Sequence, residues 1–126
     1  MNAEDRKKRI LVVEDEPILG VLCKRVLAAR NFAVDVVDNG LLAKEAVERE
    51  DYDLCITDIR LPGISGIQLH EYLQRHSRLA DRLIFVTGDT LNGNIQDYLD
   101  SCGRPCLMKP FTPEELVQIV HRTLSD

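Results

Sequence analysis

Hydrophobic positions fall along this chain in two rhythms. Short apolar runs occur five times, at residues 10–13, 33–37, 52–58, 83–87 and 105–108. Continuous runs of that length are the mark of strands buried on both faces of a parallel sheet. The second run has Asp35 inserted, which gives it one wetter face and predicts an edge strand. Pro105 at the start of the fifth also suits an outer position. Between the runs, apolar residues recur at helical spacing. Leu19, Leu22, Val26 and Ala29 mark the first helix, with Pro17 in its first turn. Ala43, Ala46 and Val47 follow Asn39-Gly40, and Leu69, Tyr72 and Leu73 follow Gly66. A weaker helix through Ile95, Tyr98 and Leu99 follows Gly88-Asp89-Thr90, with Gly93 near its start. Thr112-Pro113-Glu114-Glu115 is a capping box with Pro at the first helical position. It opens a fifth helix with Leu116, Ile119, Val120 and Thr123 or Leu124 inside.

Five strands alternating with five helices predict an α/β fold with right-handed crossovers. An edge position for the second strand favours the order 2-1-3-4-5 over 1-2-3-4-5. In that order the chain reverses between strands 1 and 3, and ligands bind outside the carboxyl ends there. Those ends carry Glu14 and Asp15 on strand 1 and Asp58 on strand 3; Thr87 and Lys109 close strands 4 and 5.

Composition narrows the setting. The 126 residues are expected to form one domain, residues 10–126, behind a polar lead-in of residues 1–9. Hydrophobic content of 44% with 29% charged residues is ordinary for a soluble protein. No apolar run reaches membrane-spanning length, and the start lacks the apolar stretch of a signal peptide, so a cytoplasmic location without membrane partners is expected. A net charge of -5 argues against direct nucleic-acid binding, and Arg6-Lys7-Lys8-Arg9 reads as a solvated lead-in. Cys23, Cys55, Cys102 and Cys106 form no C-x-x-C pair and read as buried free thiols. His70, His76 and His121 lack metal spacing and read as solvated.

Three clustered carboxylates repel one another unless positive charge sits among them. Lys109 is one source and a divalent cation another. Oxygen-only ligands select a hard ion, hence Mg2+. A carboxylate beside magnesium and a lysine can attack phosphorus and form an acyl phosphate. The cations then neutralise the phosphoryl oxygens, which is most of what phosphoryl transfer asks of a protein. Thr87 offers a hydroxyl, and side-chain-free Gly88 is expected to leave room for the group. No Gly-rich phosphate loop is present, so a nucleoside triphosphate is not the expected donor.

Taken together, Val13-Glu14-Asp15-Glu16-Pro17, Thr57-Asp58 with Leu61-Pro62-Gly63, Val86-Thr87-Gly88 and Lys109-Pro110-Phe111 resemble the receiver domain of two-component response regulators, over about residues 10–124. Phe85-Val86-Thr87-Gly88-Asp89-Thr90 and Cys102-Gly103-Arg104-Pro105-Cys106 are similar to receivers attached to hybrid sensor kinases. The resemblance implies a flavodoxin-like doubly wound sheet and Asp58 as phosphoacceptor. It implies Asp15, Asp58 and the Arg60 carbonyl as magnesium ligands, with Glu14 assisting through water. It implies Thr87 and Lys109 as phosphoryl-binding residues, and a cis Lys109-Pro110 peptide. The partners it implies are a histidine kinase or histidine phosphotransfer protein upstream and a protein partner downstream. Arg60 and Asp89 would flank the site and screen it from water.

Two positions depart from the family pattern. Glu14 stands where Asp is more frequent, and Cys106 stands where an aromatic switch residue is usual. The expected function is a phosphoacceptor signalling domain rather than a turnover enzyme, its only chemistry being self-catalysed transfer to Asp58 and autodephosphorylation. The alternatives are a degenerate receiver that acts as a phosphorylation-independent interaction module, or a phosphatase with a diffusible substrate.

Overall fold

β1 (Arg9–Val13) shows how this sheet is built. Its apolar residues are 0–1% exposed, yet they serve two separate cores. Ile10 and Val12 join one apolar cluster, Leu11 and Val13 the other. Successive strand residues point to opposite faces, so a strand covered on both sides must be apolar throughout. The computed structural model describes residues 6–88 and 92–125.

Among the described residues the elements run β1, α1 (Pro17–Ala28), β2 (Ala33–Val37), α2 (Gly40–Arg49), β3 (Leu54–Asp58), α3 (Gly66–His76), a 3-10 helix (Arg78–Arg82), β4 (Leu83–Thr87), α4 (Gly93–Cys102), β5 (Cys106–Met108) and α5 (Pro113–Ser125). The five strands are parallel and ordered β2-β1-β3-β4-β5. The predicted doubly wound fold and strand order are therefore found, with β2 at one edge and the short β5 at the other. Cys23 and Leu27 of α1 and Leu116 and Val120 of α5 cover one face. Ala43 and Ala46 of α2, Leu69 and Leu73 of α3 and Leu99 of α4 cover the other.

The helix starts follow local chemistry. The Thr112 hydroxyl accepts from the Glu115 N–H at 3.1 Å, and the Glu115 carboxylate accepts from the Thr112 N–H at 2.9 Å. Ser65 and Gln68 form a second capping box that the sequence reading overlooked, since it stopped at Gly66. Asn39 and Asn92 cap α2 and α4.

Several expectations need correction. The buried line of α1 is Gly20, Cys23 and Leu27, whereas Leu22 is 45% exposed. Two apolar lines run along this helix, and periodicity alone could not say which faces the sheet. β3 begins at Leu54, two residues after the predicted start, and Arg9 belongs to β1, where it pairs with Asp35 and Glu50. All four thiols are free, but Cys102 and Cys106 are only half-buried.

The largest miss is His70. It is 1% exposed and its Nδ1 lies 2.6 Å from the Tyr98 hydroxyl. Its ring meets Phe85 and Tyr98 edge-on, at 5.6 and 5.8 Å. Burial, then the nearby charge of Arg104, pushes its pKa down, which keeps the imidazole neutral. His76 and His121 are exposed as expected.

Candidate functional site

The carboxyl ends of β1, β3 and β5 deliver the site. Asp58 is the last residue of β3, and Glu14 and Lys109 stand one residue beyond β1 and β5. The sheet ladder continues through both, because the Glu14 N–H donates to the Val37 carbonyl at 2.9 Å and the Lys109 N–H to the Thr87 carbonyl at 2.8 Å. The two-residue side-chain period therefore carries over. Glu14 follows Val12, Asp58 follows Ile56 and Lys109 follows Leu107, all on the face covered by α1 and α5.

Those three side chains meet. Lys109 Nζ lies 2.8 Å from Asp58 Oδ2, 2.9 Å from Glu14 Oε1 and 3.2 Å from Glu16 Oε1. Glu14 and Asp58 are 5% and 7% exposed, while Glu16, the N-cap residue of α1, is exposed. Burial is the main cause that lifts the Glu14 carboxyl from 4.5 to about 7; Lys109 opposes the rise and the Asp58 carboxylate adds to it. Lys109 is pushed the other way. Burial alone would lower its pKa, but the bonds to Asp58 and Glu14 outweigh that and raise it, so it stays an ammonium.

Oxygens of Glu14, Glu16 and Asp58 all lie within 4.8 Å of one another. Glu16 is the residue that sequence reasoning left out of the site. The third acid of the run Glu14-Asp15-Glu16, placed at a helix start, was the available signal. Asp15 is exposed and is not one of that close group; it lines a shallow cavity with Glu14, Pro17 and Asp38. The Arg60 backbone N–H donates to Asp58 Oδ1 at 3.3 Å. Thr87 closes β4 and is 1% exposed. Asp89 and Thr90 lie outside the described residues.

Two glycines permit this geometry. A Cβ on Gly66 would sit 2.2 Å from the Asp58 carbonyl oxygen, so only glycine lets α3 start so close to β3. A Cβ on Gly88 would meet Lys109 Cβ at 3.3 Å and Cδ at 3.4 Å. A side chain at Gly88 would thus press on the stem of Lys109. The Lys109-Pro110 peptide is cis. Cys106 pairs with Phe85 across β4 and β5, and burial, then the charge of Asp58, pushes its thiol pKa up.

A cation held among carboxylates at the strand ends of this sheet can be compared with known proteins. The family model for the response regulator receiver domain matches residues 10–121. The chain belongs to that family. Its relatives include the transcriptional regulatory protein TcrA of Mycobacterium tuberculosis, 37% identical over 108 residues, which are 86% of this chain and 42% of TcrA. The DNA-binding response regulator MtrA of Mycolicibacterium smegmatis is 34% identical over 118 residues, 94% of this chain and 51% of MtrA. The chain thus spans about half the length of these curated relatives, or less. A sensor protein from Polaromonas superposes with a TM-score of 0.84 at 28% identity, covering 95% of this chain and 98% of that one. The receiver domain of a Pseudomonas aeruginosa sensor histidine kinase gives 0.82 at 28% identity, covering 96% and 100%, and that structure carries magnesium coordinated in its active-site cleft. No helix among the described residues of this receiver is long and apolar enough to cross a membrane.

Proposed function

We propose that this receiver accepts a phosphoryl group on Asp58 from a phosphohistidine of a histidine kinase or phosphotransfer protein, and thereby changes a surface read by a downstream protein partner in the cytoplasm. The observation that carries the reading is the ammonium of Lys109 held 2.8 Å from Asp58. Asp58 Oδ attacks phosphorus, the P–N bond to the donor imidazole breaks, and the product is an acyl phosphate. Lys109, already charged, stays beside the incoming phosphoryl oxygens, and the Thr87 hydroxyl is a further donor to them.

Mg2+ fits the donor set, because the clustered ligand atoms of Glu14, Glu16 and Asp58 are all carboxylate oxygens. Those residues, with Asp15 and the Arg60 carbonyl, would hold it. When bound, it supplies the positive charge that offsets repulsion between carboxylate and phosphoryl oxygens. The chain is then a phosphoacceptor whose only chemistry is acquiring and losing its own phosphoryl group, not a turnover enzyme.

The test is incubation with a small acyl-phosphate donor, with and without magnesium, followed by intact-mass spectrometry. One phosphoryl group on the wild type, needing magnesium and lost in Asp58→Asn, is the expected result. Equal labelling of Asp58→Asn would overturn the assignment. Cys106, at the usual place of an aromatic switch, favours a second reading, a module that binds partners without phosphorylation. Absence of labelling with the fold intact would select it.

A further inference from the structure

The sheet has a second chemically distinct end. Lys8 precedes β1, Arg82 precedes β4, Arg104 precedes β5 and Arg78 lies in the 3-10 helix; together they line a cavity of about 640 Å³. It lies at the amino ends of the strands, about one strand length, on the order of 16 Å, from the carboxyl-end site of Asp58.

Among the described residues, the ion pairs are those of Arg9 and Lys109, and none of Lys8, Arg78, Arg82 or Arg104 forms one. Two acids also line the hollow and offset half of that charge: Asp53 Oδ2 accepts from the Arg9 N–H at 2.7 Å, and Asp81 engages Arg104 through its backbone carbonyl. Arg82 Nη1 donates to the Thr123 and Leu124 carbonyls, and its other nitrogens make no hydrogen bond among the described residues. Arg104 Nε is buried with no hydrogen-bond partner among the described residues. Four cations against two carboxylates leave the lining a net charge of +2, which favours an anionic occupant. In a chain of net charge -5, that concentration is against the average of the molecule.

Guanidinium groups match phosphate oxygens with paired donors, and a hollow of this volume falls in the ~300–1,000 Å³ range of small-molecule sites. Tyr52 and Leu79 add an apolar wall beside the cations, suited to the organic part of a ligand. We propose that this cavity binds a small organic phosphate, a nucleotide or a sugar phosphate, through Lys8, Arg78, Arg82 and Arg104. The site is independent of Asp58 and of magnesium.

Isothermal titration of the 126-residue chain in EDTA, with adenosine triphosphate and with pyrophosphate as probes, tests this. Lys8 and Arg78 are exposed and their side chains carry no structural bond among the described residues, so Lys8→Ala/Arg78→Ala should fold normally. The nucleotide is expected to bind more tightly than pyrophosphate, the double variant to lose at least tenfold in affinity with an unchanged urea midpoint, and Asp58→Asn to bind as wild type. No binding of either probe, equal affinity in the double variant, or loss of binding in Asp58→Asn would overturn the proposal. Tighter binding of pyrophosphate than of nucleotide would overturn the organic class of the ligand.

Discussion

Glu14→Gln should stabilise the metal-free protein at neutral and alkaline pH. The Glu14 carboxyl is 5% exposed and its pKa stands at about 7 rather than 4.5, chiefly because burial disfavours the charged form. A rise of that size corresponds to roughly 3 kcal/mol of opposition to ionisation. The site opens to solvent at Glu16, and screening there brings the net effect to about 1–2 kcal/mol. The sign follows from linkage. A folded-state pKa above the unfolded value gives stability that is full below about 4.5 and lost as pH rises through about 7. The raised pKa of Lys109 gives stability that is full below 10.5 and is lost only at higher pH, so it is constant across this window. Gln keeps an acceptor for Lys109 without the charge, and Lys109 keeps Asp58 and Glu16. In EDTA, urea midpoints of the two proteins should therefore agree near pH 4.5 and separate by pH 8, with the variant higher. Excess magnesium should reverse the order, because a ligand that needs the carboxylate stabilises the wild type in proportion to its binding. A variant less stable than wild type at pH 8 in EDTA, or a difference independent of pH, would refute the reasoning.

Two further perturbations probe the frame around the site. Gly66→Ala drives a methyl group to 2.2 Å from the Asp58 carbonyl oxygen; backbone must move, at about 1–3 kcal/mol, and labelling of Asp58 should slow along with the fall in urea midpoint. His70→Ala removes a buried ring packed on Phe85 and orphans the Tyr98 hydroxyl, for about 2–4 kcal/mol, whereas Tyr98→Phe should cost about 1–2 kcal/mol by leaving Nδ1 unpaired. Equal midpoints for wild type and His70→Ala would mean the buried pair contributes nothing.

The order of strands was legible because burial leaves a one-dimensional trace. A strand covered on both sides reads as unbroken apolar residues, as at β1, and one at the edge admits Asp35, as at β2. The placement of Asp58, Glu14, Thr87 and Lys109 was legible for a related reason: polar residues that end apolar runs must lie at the sheet's rim. What the sequence could not hold is side-chain direction and distance. Two apolar lines ran along α1, and only contact with the sheet selected Cys23 and Leu27 over Leu22 and Ala29. His70 looks solvated in a string of letters, since its partner Tyr98 stands 28 residues away on another helix. Glu16 became part of the acidic cluster only when α1 turned its N-cap toward Lys109, 93 residues on. That Gly88 lies against the stem of Lys109, 21 residues on, is likewise absent from the string of letters. The basic hollow at the strand amino ends is likewise assembled from positions 8, 78, 82 and 104, which share no motif. Local pattern fixes which face of an element is apolar; which distant group meets a polar side chain is a property of the packed chain alone.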